Sequence, residues 1–100
     1  MVWSRSRNRW RRRASAVALL RGTNQGLFWE PVRQITHALL EDEDDMVRKG
    51  LGWLLRETVR FDGARAIPLL MSIRTQAPRL VLRTACERLT ARDRARVLAR

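Results

Sequence analysis

The chain has 100 residues, 45% of them hydrophobic, and no run approaches the roughly 20 consecutive apolar residues that a membrane-spanning helix needs. Twenty-one Lys and Arg against ten Asp and Glu leave a net charge of +11, which points first to a polyanionic partner. The single cysteine, Cys86, excludes an internal disulfide framework or a zinc site of several thiolates and suits a reducing cytoplasm.

The predicted elements are all helices, because β-branched alternation and hairpin pairs are nearly absent and Asp62-Gly63 is flanked by helical pattern. Near the start, Arg5 to Arg13 alternate with polar residues. The apolar run Ala14 to Leu20 has no Ala-x-Ala-like site after it, so no signal peptide is read there. A first helix is expected over residues 6–21, stopped by Arg21-Gly22-Thr23-Asn24, where glycine and asparagine favour a left-handed cap. A second is expected over residues 27–41, with Pro31 in its first turn and Val32, Ile35, Leu39 and Leu40 as its apolar stripe. The acids Glu41-Asp42-Glu43-Asp44-Asp45 precede a third helix over residues 44–60, where they can cap free N–H groups and complement the helix dipole.

A fourth helix starts near Asp62 as N-cap, with Pro68 either kinking it or marking its true first turn. The fifth covers residues 78–89 and turns Leu82, Ala85, Cys86 and Leu89 inward. Thr90-Ala91-Arg92-Asp93 resembles a capping box with Asp in place of Glu, so a last short helix follows. Short loops between antiparallel helices point to an all-α chain of HEAT-like pairs, with units of roughly 40 to 47 residues. All 100 residues then form one domain of about two units, a short, incomplete right-handed α-solenoid.

The charge is unevenly distributed: residues 1–13 carry +6, 14–40 carry +1, 41–45 carry −5 and 46–100 carry +9. Most of the positive groups share segments with helical apolar spacing, so they should occupy defined places on folded helices. On the third helix Lys49, Trp53, Arg56 and Arg60 fall within an arc of roughly 60°. Val47, Leu51, Leu54 and Thr58 fall on the other side. An exposed indole among three cations suits a groove that holds phosphates and packs against a nucleoside. The same spacing also fits an indole packed on a neighbouring helix beside an ordinary solvated face. Gly50 and Gly52 flank the stripe, and two helix-interior glycines imply close approach of a ligand or another backbone.

Asn8-Arg9-Trp10-Arg11-Arg12-Arg13-Ala14 and Val47-Arg48-Lys49-Gly50-Leu51-Gly52-Trp53-Leu54-Leu55-Arg56-Glu57 resemble two signature stretches of the DNA alkylation-repair family, the AlkD-like HEAT-repeat alkylpurine DNA glycosylases. Leu82-Arg83-Thr84-Ala85-Cys86-Glu87-Arg88-Leu89 is similar to the family's closing arginine-bearing helix, and the likeness runs over nearly the whole chain from Trp3 onward. The resemblance implies a positively charged helical face that grips alkylated duplex DNA. It also implies hydrolysis of the N-glycosidic bond of N3- or N7-alkylated purines without base extrusion. It maps lesion and DNA contacts to Trp53, Arg56, Arg12, Arg13 and Lys49, leaving open which of Arg12 and Arg13 faces DNA. Further phosphate contacts are expected at Arg60 and Arg83.

Family members are about twice this length, and their catalytic aspartate and a second lesion-facing tryptophan lie upstream of the segment matched by Trp10, which only nine residues precede here. The chain therefore looks like the C-terminal portion of a longer member. DNA binding is expected to outlast catalysis, no catalytic residue is assigned, and a second chain could supply the missing helices. A protein-interaction scaffold is the competing reading, since HEAT-type repeats bind partner helices and Trp3 and Trp10 would stand exposed. Structured RNA is a third candidate on charge alone.

His37 and Cys86 read as a surface histidine and a core thiol, and the acids at 41–45 lack the spacing of a calcium loop. Gly50-Leu51-Gly52 follows no strand and lacks a third glycine, so neither cofactor nor metal is expected. The whole suits a cytoplasmic, nucleoid-associated protein.

Overall fold

The structure, a computed structural model, describes residues 7–17 and 29–99. All regular structure among them is helical. Trp3, the expected stop at Arg21-Gly22-Thr23-Asn24 and the expected start of the second helix lie outside the described residues.

Helix α1 covers Arg9–Val17. It starts later than residue 6 because Asn8 acts as its cap: the Asn8 Oδ1 accepts the Trp10 N–H at 2.9 Å and its backbone carbonyl accepts the Arg12 N–H at 3.1 Å. Helix α2 covers Trp29–Leu39, with Pro31 in the first turn, where its missing N–H costs nothing. Val32, Ile35, Leu39 and Leu40 are all buried. Thr36 is buried with them and stays satisfied by donating its hydroxyl to the Val32 carbonyl at 2.8 Å.

Helix α3 covers Asp45–Ile73 and consists of two helices joined across a kink, in keeping with the two helices expected there. Its one non-helical residue is Asp62 (φ −150°, ψ 55°), which divides it into a first limb, 45–61, and a second limb, 63–73. The break falls where an N-cap was expected, and the Arg65 Nε donates to the Asp62 carboxylate at 2.6 Å. Pro68 sits in the second turn beyond the break, inside the second limb, so it does not mark that limb's first turn. At the start of the helix the Asp44 Oδ1 accepts the N–H groups of Met46 and Val47 at 2.9 and 3.3 Å, the expected capping.

Helix α4, Arg79–Ala85, is shorter than expected, and a turn at 86–88 follows it. Helix α5 covers Ala91–Leu98, and its cap Thr90 accepts the Asp93 N–H at 3.2 Å. No described helix is long and apolar enough to cross a membrane.

The first limb of α3 is the centre of the arrangement. Along α1, Arg9 reaches Asp44 at 3.7 Å, and Arg13 and Val17 lie against Gly50. Along α4 and the turn after it, Thr84 lies against Gly52 and Glu87 reaches Arg56 at 2.7 Å. Each series advances in step on both helices, so α1, the first limb and α4 run side by side in one direction. Two residues turn an α-helix by roughly 200°, so the two glycines face opposite neighbours. Their close-approach role, expected from sequence, serves helix packing. Val47, Leu51, Leu54, Leu55 and Thr58 point into a core shared with Ile35 and Leu39 of α2, Leu70 and Ile73 of the second limb, Leu82 of α4 and Val97 of α5.

Candidate nucleic-acid interface

Three helices laid side by side leave the middle one with one uncovered strip, and on the first limb that strip carries Lys49, Trp53, Arg56 and Arg60. On the helical wheel Gly50 and Gly52 lie roughly 70–90° to either side of it. The stripe therefore runs between the line of contact with α1 and the line of contact with α4. Trp53 keeps 39% of its surface exposed, Lys49 and Arg60 are exposed, and Arg56 is half-buried.

The cations differ in how far they are already engaged. Arg56 Nη1 donates to Glu87 Oε2 at 2.7 Å, and its Nε lies 3.9 Å from Glu57 Oε1, too far for a hydrogen bond. Glu57 also faces Arg60 at 3.8 Å, and the Arg60 guanidinium lies 5.0 Å from the centre of the Phe61 ring. Lys49 makes no ion pair with any described residue. On α4, Arg83 is exposed and likewise makes none.

Arg12 and Arg13 of α1 part company. Arg12 Nε donates to Asp42 Oδ2 at 2.6 Å and its Nη1 donates to the Arg7 carbonyl at 2.9 Å, with both side chains of the ion pair largely buried. Arg12 thus clasps the acidic loop to α1, and Asp42 Oδ1 braces that loop by accepting the Asp44 N–H at 2.9 Å. Arg13 instead runs across Gly50, its Cγ 3.0 Å from where a Cβ would stand. The Nε atoms of Arg13 and Arg56 are both buried without a hydrogen-bond partner among the described residues. They belong to the side chains that flank Trp53 on its α1 and α4 sides.

A model of the DNA alkylation repair enzyme family matches residues 1–89. The chain belongs to the DNA alkylation repair family. The match takes in α1 to α4 and stops before α5. Comparisons with curated proteins and with solved structures gave no match. Repair of alkylated DNA is the function that the family carries, and DNA is the substrate class it implies.

Within this alkylation-repair chain the fold brings Lys49, Trp53, Arg56 and Arg60 onto one strip with Arg13 beside it, puts Arg83 on the adjoining α4, and draws Arg12 into the acidic loop. Glu57 and Glu87 are the residues that sequence reasoning missed as partners of Arg56. The Glu57 to Arg60 step of three is a local signal that was there to be read. Glu87 lies 31 positions from Arg56 and carries no such signal.

The other singled-out residues stay away from this strip. His37 is exposed at the end of α2 and lines an open cavity of about 540 Å³ with Glu41, Asp42 and Gln76. Cys86 is buried, and burial pushes its thiol above the ordinary value against the opposing pull of Arg94 and Arg79, which disfavours the thiolate. No group of three His, Cys, Asp or Glu side chains among the described residues could hold a metal ion.

Proposed function

We propose that this member of the DNA alkylation repair family is a duplex-DNA-binding, HEAT-like portion of an alkylpurine DNA glycosylase, acting at N3- or N7-alkylated purines and completed for catalysis by further helices. The observation that carries the reading is the uncovered strip of the first limb, where Trp53 stands between α1 and α4 with cations above, below and beside it. Trp53 contacts the lesion-bearing nucleotide. Lys49, Arg13 and Arg83 bind phosphates, together with Arg56 and Arg60. Arg12, tied to Asp42, positions α1 and is not itself a DNA contact.

The HEAT-like layering is supported by the parallel course of α1, the first limb and α4, with α2, the second limb and α5 as the alternate helices of the pairs. Incomplete catalysis is supported by the carboxylates. Departure of a cationic base needs little acid help, but the developing oxocarbenium ion needs a nearby anion to offset its charge. Glu57 and Glu87, which reach the strip, are both taken up by arginines. Asp45 lies on the same side of the helix but about 12 Å of axial rise below Trp53. The required carboxylate is assigned to helices upstream of α1, in the same chain or in a second one.

The test is a titration of purified chain with duplex DNA at rising salt. Each phosphate neutralised contributes about −0.9 to the slope of log K against log salt, so Lys49, Arg13, Arg83 and Arg60, with Arg56 already paired to Glu87, give a slope of roughly −3 to −4. Release of methylated purines by the same sample should stay at background. Affinity that does not change between low and moderate salt would remove the reading, and clear turnover would show that a catalytic carboxylate is already present. Exposed Trp10, Phe61 and Leu80 favour a second reading, a scaffold for partner helices. Self-association that survives high salt, without DNA binding, would select it.

A further inference from the structure

Resting on the DNA-binding reading, we infer that Glu87 is an affinity-setting residue: its carboxylate occupies Arg56 in the free protein and must be displaced by the DNA phosphate that Arg56 binds. Arg56 projects from the first limb toward the end of α4, and Glu87 stands in the turn that follows α4. Their 2.7 Å contact is a charge-assisted hydrogen bond between a guanidinium that is one-quarter exposed and a carboxylate that is half exposed. From solvent, the pair presents almost no net charge. A phosphate arriving at Arg56 meets attraction from the guanidinium and repulsion from the carboxylate beside it.

The pairing also bears on ion release. A cation that neutralises a bare phosphate releases DNA counterions, whereas one already neutralised by its own carboxylate adds little to the salt slope. Lys49 and Arg83, which make no ion pairs with described residues, contribute fully. Arg56 contributes only after Glu87 has moved away. The exposure of Glu87 and its place in a turn allow that movement without disturbing the core, because the neighbouring core residues Leu82, Ala85 and Cys86 point the other way.

The experiment measures duplex affinity across a salt series for the wild-type chain, Glu87→Gln, Arg56→Ala and the double variant. Glu43→Gln serves as a control that removes a carboxylate from the exposed loop before α3. Glu87→Gln should bind duplex DNA roughly three- to tenfold more tightly at low salt. Its slope should steepen by about 0.9. Both gains should vanish in the Arg56→Ala background, and Glu43→Gln should show a smaller gain.

Weaker binding by Glu87→Gln would overturn the inference, because the carboxylate would then be orienting Arg56 for DNA. An equal gain from Glu43→Gln, or a gain that persists without Arg56, would also overturn it as an effect of net charge. If the wild type binds and Glu87→Gln gains nothing, this inference alone falls. If neither protein binds duplex DNA, the DNA-binding reading falls with it.

Discussion

Replacing Trp53 with alanine should weaken duplex DNA binding roughly 5- to 150-fold, the equivalent of about 1–3 kcal/mol for the loss of one base-stacking aromatic. Helix content and thermal midpoint should change little. Trp53 is 39% exposed, and the buried side of its helix is formed by Val47, Leu51, Leu54 and Thr58, so its indole lies outside the packing that holds the fold. A midpoint that falls while affinity per folded molecule stays constant would mean that the indole serves packing, the alternative that its spacing also allows. Circular dichroism and fluorescence anisotropy on the same samples separate the two results.

The second large effect is on stability. A Cβ at position 52 would stand 2.9 Å from Thr84 Cβ and 3.2 Å from Thr84 Cγ2, and neither atom is the end of a long flexible side chain. Gly52→Ala gains about 1 kcal/mol of helix propensity but forces α4 away from the first limb, an overpacking cost of about 1–3 kcal/mol or more. The net loss should lie in the upper part of the resulting range of about 0–2 kcal/mol. At about 4–8 °C per kcal/mol for a chain of this size, that lowers the midpoint by roughly 5–15 °C. At position 50 the close atom is Arg13 Cγ, in a side chain that can swing, so Gly50→Ala should stay within about 1 kcal/mol of wild type. Equal losses at the two glycines would contradict the asymmetry of the two helix contacts.

What could be read from the sequence was what one helical period encodes. The placing of Lys49, Trp53, Arg56 and Arg60 opposite Val47, Leu51, Leu54 and Thr58 needs only about 100° per residue, and burial follows that division. Asp44 as cap, Pro31 in a first turn and Thr90 ahead of Asp93 are likewise local, and each is seen. Boundaries were less legible. The chain kinks at Asp62, where a new helix was expected, and Pro68 lies inside the second limb, where the Ala64 carbonyl loses its partner.

The partners of the charged groups were hidden for a different reason. Arg12 with Asp42 and Arg56 with Glu87 are separated by 30 and 31 positions, and no short spacing announces such pairs. They decide which arginines remain available. Of the neighbours Arg12 and Arg13 on α1, Arg13 lies across Gly50 while Arg12 is held at the acidic loop, a distinction that no local spacing announces. The glycine pair was legible as a sign of close approach, but what approaches it was not, because Arg13, Val17 and Thr84 come from separate helices.

The most direct test of the strip between α1 and α4 as the DNA-binding face is a duplex titration of the ¹⁵N-labelled chain, followed through its tryptophan indole N–H resonances. The resonance of Trp53 should shift and broaden as duplex is added. That of Trp29, packed against the core beneath the Arg65 guanidinium, should stay in place. A titration that moves Trp29 and leaves Trp53 untouched would put the DNA on another surface and contradict the account.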